Sequence, residues 1–379
     1  MNKPVKSITI HAILKTLSQL HIAAPGSFRF DPSTGYVNSG TDGGFACTGI
    51  QRLRLAPNAV DGVMTLPVIA GNNIAGNLRT AASRILIDAL KANNQKIEMS
   101  TYSAITCGAV TGKPDGRDLS YAEQKESSAH PFVGPFGGGP RMLKKKLRAH
   151  NALPVMEVLR EVGFTISHPS RSGRAMKPGD VVTHGWAFVR KDHISALTDV
   201  ARMEGSINNF EAKLLERQTL ILSDKQAKDD DEKGSRHSTR TISAIEFVDP
   251  GVDFEFTVEL LNVTDEQIGL ILLALEAFAN QQLGGWVRNG LGRISLNDVV
   301  IADHATGDVS DSIFNNNTLD RTKVRAYVDA WQAAALTLTG EQLDRIMKPP
   351  VDETEESKAE KAQKKAEKAA AKVTAKAAK

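Results

Sequence analysis

The stretch FEFTVELLNVTDEQIGLILLALEAFANQQLGGWVRNGLGRISL, residues 254–296, decides the reading of this chain. Phe254, Phe256, Val258 and Leu260 alternate with polar residues, the period of a half-buried strand. Thr264 and Gln267 stand at capping-box spacing and open a helix that runs from Asp265 to about Gln281. A glycine-rich segment follows, and a last strand runs from Arg293 to Ile301. In that segment Gly284, Gly285, Gly290 and Gly292 surround Arg288, Asn289 and Arg293. A helix-to-strand turn needs one or two glycines. Four, interleaved with arginines, fit close approach of a phosphate-bearing partner.

The same strand–helix pattern appears at the other end. Ser7 to Leu20 reads as a strand, and Ala24 to Leu55 as a long loop ending in a short strand. Within LPVIAGNNIAGNLRTA, residues 66–81, a short strand meets a Gly/Asn turn, and an amphipathic helix extends from about Asn73 to Ala92. Ile74, Leu78, Ala81, Ile85 and Leu86 mark its apolar face. Gly71, Asn72 and Asn73 at its start suit either an ordinary N-cap or a phosphate held by free N–H groups, with Gly76, Asn77 and Arg79 one turn on. Met99 to Pro140 is polar and glycine-punctuated. It ends in Gly137, Gly138 and Gly139 and runs into the basic stretch Arg141, Lys144, Lys145, Lys146, Arg148. Such a run is either a solvated face or a nucleic-acid contact.

Residues 163–244 lack periodicity apart from a helix-like stretch at Ala212–Leu222, and read as an insertion with an exposed arm. Residues 318–335 and 339–347 read as two surface helices. From 351 to 379, Glu/Ala/Lys repeats without an apolar stripe predict a disordered or transiently helical tail. The fold class expected is α+β: one domain over 1–350, built on a ferredoxin-like (RRM-like) core of two β-α-β halves with large insertions.

Net charge is only +3, from 47 basic and 44 acidic residues, so clustering matters more than the total. No apolar run reaches membrane-spanning length, and the start lacks a secretory pattern. Two separated cysteines, Cys47 and Cys107, fit a reducing cytoplasm and argue against structural zinc. CGAVTGKPDG, residues 107–116, fails as a phosphate loop. Gly108 and Gly112 are one residue too close, and Pro114 stands where a magnesium-binding hydroxyl belongs. No histidine pair among His11, His21, His184 and His193 has metal-ligand spacing. Asp31 and Asp42 either make loop turns or hold a metal for phosphodiester cleavage.

Taken together, LSQLHIAAPG (17–26), LPVIAGNNIAGNLRTA (66–81), VGPFGGG (133–139) and GGWVRNGLGRISL (284–296) resemble the RAMP superfamily of CRISPR-associated proteins. Ala70 stands where that family has proline and Ala75 where it has lysine. The layout, with FACTGIQRLRL (45–55), is most similar to the type IV backbone family. The resemblance implies a non-catalytic subunit that polymerises along a crRNA and displays it to a target nucleic acid, DNA in preference to RNA. A thumb-like β-hairpin inside residues 163–244 is implied too. The implied RNA-contacting set is His21, the first-helix residues 71–73, 76, 77 and 79, the glycine triplet, Arg141, Lys144, Lys145 and the loop residues 288–290, 292 and 293. Partners would be further copies, other effector subunits and a helicase. No cofactor or metal is implied. The alternative on the same scaffold is a metal-dependent RNA endonuclease, as in type III backbone proteins.

Overall fold

The computed structural model describes residues 4–41, 43–58, 62–108, 119–139, 142–161, 163, 182–190, 208–212, 215 and 241–347. Asp42, Arg141, the tail 351–379, the phosphate-loop-like stretch beyond Gly108, and most of the insertion, including 212–222 apart from Ala212 and Leu215, lie outside the described residues.

In chain order, β1 (Lys6–Thr16) is followed by short strands β2 (Phe28–Phe30), β3 (Val37–Ser39) and β4 (Phe45–Thr48), then by β5 (Arg52–Asn58) and β6 (Gly62–Pro67). Helix α1 (Gly71–Ala92) comes next, with α2 (Met99–Cys107), α3 (Tyr121–Ala129) and α4 (Val133–Phe136) behind it. After β7 (Leu147–Ala149), β8 (Leu153–Pro154) and α5 (Glu157–Glu161) come β9 (Thr183–Arg190), β10 (Thr241–Val248) and β11 (Asp253–Val263). Helix α6 (Asp265–Ala279), β12 (Ile294–Asp303), the small β13 (Phe314–Asn315) and β14 (Thr318–Leu319), α7 (Arg325–Ala335) and α8 (Gly340–Met347) complete the described chain.

The main sheet has the order β12-β1-β11-β7, every neighbouring pair antiparallel. Its strands thus stand fourth, first, third, second along the sequence of two strand–helix–strand units, with α1 serving the first unit and α6 the second. Ile8, Ile10, Ala12 and Leu14 of β1 join Phe254, Phe256, Val258 and Leu260 of β11 in one core with α1 and α6. Burying those side chains is the dominant favourable term in the fold.

A second sheet, β3-β2-β4-β10-β9, is tied to the segment that leaves β1 by a bridge between Leu20 and Val248. Strand β9, inside the stretch 163–244, and β10, at its end, pair antiparallel from Thr183 opposite Val248 to Arg190 opposite Thr241. A smaller core of Leu55, Leu66, Val68, Leu153, Met156 and Leu159 seats the β5–β6 hairpin.

Four expectations change. The loop from Ala24 to Leu55 carries β2, β3 and β4, strands of 3, 3 and 4 residues, too short for periodicity to register. The polar stretch from Met99 holds three helices. One of them, α3, is opened by a Ser120–Glu123 capping box in which Glu123 Oε2 accepts from Ser120 N at 2.9 Å. The helix expected from Thr318 starts at Arg325, because Asn316 and Asn317 adopt φ of 47° and 62° and turn β13 into β14. Finally, α7 and α8 are not surface additions. Val328, Trp331, Leu343, Ile346 and Met347 belong to the main core, and Gly269 of α6 admits the Tyr327 carbonyl where a Cβ would lie 2.1 Å from it.

Candidate nucleic-acid interface

The loop between α6 and β12 is fastened at both ends to the segment that leaves β1. Gly285 N donates to His21 O at 2.8 Å, Gly292 N to Gln19 O at 2.8 Å, and Leu17 N to Arg293 O at 2.8 Å. Two of the glycines face inward. A Cβ on Gly284 would sit 2.2 Å from His21 O, and one on Gly292 2.1 Å from Leu283 O. They are required by the chain's own backbone. Between them a single 3-10 turn, residues 287–289, carries Arg288, Asn289 and Gly290 outward, and all three are exposed, as is Arg293. Gly290, at φ +83°, has nothing within 4 Å of its Cβ position.

His21 lies beneath this loop rather than on it. It is 2% exposed, and its Nδ1 is 2.5 Å from Glu246 O. Its expected contact with RNA is therefore replaced by a supporting one. Glu246 is itself 1% exposed. Its carboxylate accepts from Ile50 N at 3.0 Å and from Arg52 Nη1 at 2.9 Å, so the loop rests on a buried ion pair. Backbone hydrogen bonds from Gln51 N to Ile22 O and from Val68 N to Gln51 O then lead towards the start of α1.

At that start, Gly71 N is taken by Asn151 Oδ1 at 2.9 Å, and Asn73 N by Ala70 O at 2.9 Å. A Cβ on Gly71 would lie 2.1 Å from Ala149 O, so this glycine too serves packing. Asn77 Nδ2 donates back to Asn73 O at 2.8 Å. Asn72 and Gly76, four residues apart on one face, remain exposed. Gly76 has neither a positive φ nor a neighbour within 4 Å of its Cβ position. An exposed glycine one turn inside a 22-residue helix costs about 1 kcal/mol relative to alanine.

Arg79 is half-buried and turned towards the fold. Its Nη2 donates to Phe136 O and, at 3.2 Å, to Gly137 O, and the guanidinium stacks 5.5 Å from the Phe136 ring. Burial pushes its pKa below the ordinary arginine value. The triplet it holds is also inward: Gly138 pairs with Leu143, Gly139 N donates to Gly108 O at 3.3 Å, and a Cβ on Gly137 would meet Leu143 O at 2.2 Å. What the knot presents is the chain after it, where Lys144 and Lys145 are exposed. With Lys125, Lys146 and Tyr121 they line a cleft of about 480 Å³. Lys146 donates to Gln267 Oε1 at 3.3 Å, and burial lowers its pKa. Lys125 and Tyr121 have no signal in the sequence, since only the fold brings α3 to this run.

Asp31 makes a turn. Its Oδ1 accepts from Ser33 N at 2.8 Å and Ser33 Oγ at 2.6 Å, hydrogen bonds that hold the carboxyl below the usual carboxylate range. Among the described residues, no helix is long and apolar enough to cross a membrane.

No family model matches this chain. No curated protein matches it either. Among solved structures, it is similar to a chain of one titled "Type IV-B CRISPR Complex", with a TM-score of 0.42 at 15% identity, over 83% of this chain and 98% of that one. A likeness at that level decides neither fold nor function.

Proposed function

We propose that this chain is a crRNA-binding backbone subunit of a type IV CRISPR effector complex. It grips the guide through its phosphates without cutting it and assembles with further copies, other effector subunits and a target nucleic acid. The strand order β12-β1-β11-β7 with α1 and α6 supports a ferredoxin-like core. The antiparallel pairing of β9 with β10 within and at the end of residues 163–244 supports a thumb-like hairpin there.

The observation that carries the reading is the division of roles in the glycine loop. Gly284 and Gly292 lock it to the residues after β1, while Arg288 and Arg293 stay exposed on the rigid frame so made. Fixed cations on a rigid frame bind phosphates without reading sequence, which is what a subunit repeated along one guide needs. Lys144, Lys145 and the open backbone at Gly76 add to the same grip.

The test is a filter-binding titration of single-stranded RNA across a salt series. Arg288→Ala with Arg293→Ala should weaken binding equally for unrelated sequences. It should also flatten the slope of log K against log salt by about 1.4, at about 0.7 for each phosphate that is no longer neutralised. Unfolding midpoints should stay within about 0.5 kcal/mol of the parent, as for other exposed positions. Unchanged affinity and slope would leave the loop as a helix-to-strand connection and remove the reading.

A further inference from the structure

The chain has three tryptophans. Trp331 is 3% exposed in the core. The other two are out of the core, one in ring contact with Phe188 and the second two residues from it in the chain. Trp286 sits in the glycine loop, two residues before Arg288, with φ 61° and ψ 24°. A bulky L side chain seldom adopts that left-handed conformation, and residues held in it cluster at functional sites. Its ring meets Phe188 of β9 at 5.0 Å between centroids and 77° between planes. Trp186 lies two residues from Phe188, hence on the same face of β9. It is 53% exposed and meets Phe247 at 6.2 Å and 75°. Each perpendicular contact leaves at least one face of each ring untouched by that partner.

Beyond the buried Ile245, this sheet face carries small and cationic side chains. Trp186 is opposite Ile245, Ile245 is opposite Thr48, and Arg29 is opposite Ala46, so register puts Arg29 on the same sheet face as Trp186. Three strand spacings separate β2 from β9, about 14 Å. Arg288, exposed, follows Trp286 by two residues in the loop. Thr48 and Ala46, between Arg29 and Trp186, are exposed and small. Flat rings interspersed with arginines fit unpaired nucleobases, whose faces stack whatever the sequence.

We propose that Trp186 and Trp286, bridged by Phe188, form a stacking platform for unpaired bases of the bound RNA. The inference rests on the RNA-binding reading above and adds a base-contacting site to its phosphate grip. Trp186 and Phe188 stand on β9, at the root of the insertion, and Trp286 stands on the phosphate-gripping loop. A base stacked on this row is therefore held beside its own backbone contact.

The experiment uses the full chain and its intrinsic fluorescence, with two probes. One is an RNA of about 12 nucleotides, within the site sizes of single-strand binders. The other is an abasic strand of the same length and charge. RNA should quench the exposed tryptophans and bind about tenfold more tightly than the abasic strand. Trp331 supplies the unquenched remainder. Trp186→Leu should narrow the difference between the probes, and Trp186→Phe should restore most of it. If both probes bind equally with no quenching, the platform is overturned and the phosphate grip stands. If neither binds, the RNA-binding reading fails and the platform with it. If Trp186→Leu instead reduces self-association of RNA-free protein by light scattering, with the probe difference unchanged, the row is a contact between copies and the inference is wrong.

Discussion

Gly76→Ala adds one methyl group to an exposed helix position with nothing within 4 Å of it. With no clash to relieve, the substitution should stabilise the protein by about 1 kcal/mol, the helix-propensity difference between the two residues. In a chain of this size that raises the melting temperature by about 2 °C. RNA binding should move the other way. A phosphate seated against the bare Cα would be pushed back by the methyl, and the charge-assisted hydrogen bond it gives up to the exposed Asn72 side chain one turn away is worth about 1.5–3 kcal/mol. That corresponds to at least about a tenfold rise in Kd. Calorimetric melting and filter binding on the same preparation read both effects. A higher melting temperature with unchanged affinity would show that nothing approaches Gly76, and the helix face would drop out of the interface. A lower melting temperature would contradict the open space in front of it.

Arg52→Ala should destabilise the fold by about 3 kcal/mol, the lower end for breaking a buried pair, since Glu246 is 1% and Arg52 25% exposed. A shift in urea midpoint worth less than about 1 kcal/mol would class the pair with ordinary surface bridges. His130 is fully buried, and burial pushes its pKa down to about 4 from 6.5. A depressed histidine stays neutral in the folded chain while the unfolded chain takes up a proton. Its stabilising contribution is therefore complete above pH 6.5 and lost as pH falls towards 4, by about 3 kcal/mol in all. His130→Asn keeps an acceptor for the Phe132 and Val133 N–H groups that Nδ1 now receives at 3.2 Å each, and should flatten that part of the stability–pH curve. A curve of unchanged slope would move the dependence to another group.

The elements legible in the sequence are those whose partners are local in pattern. Alternation at Phe254, Phe256, Val258 and Leu260 marks β11, and all four are at most 1% exposed. The glutamine arm of the capping box holds as well, with Gln267 Oε1 accepting from Thr264 N at 3.2 Å. The polar alternates mislead in part, because Asp253 and Glu255 are 5% and 3% exposed on a strand covered on both faces there. Helix α3 escapes the periodic pattern although Ser120 and Glu123 advertise its start. At the candidate site the residue types are legible but their direction is not. Arg79 is drawn inward by carbonyls 57 and 58 residues away in sequence, and His21 by one 225 away. Nothing local encodes such contacts.

The inward-facing glycines also bear on descent. Cβ positions at Gly71, Gly284 and Gly292 are already filled by carbonyls of the same chain, so selection holds these residues through folding, whatever the protein binds. A descendant that had abandoned its ligand would keep all three and be free to lose Gly76, Arg288 and Arg293. Glycine spacing alone therefore traces ancestry of the scaffold, and the exposed residues set between the glycines are the better record of whether a given lineage still carries the activity.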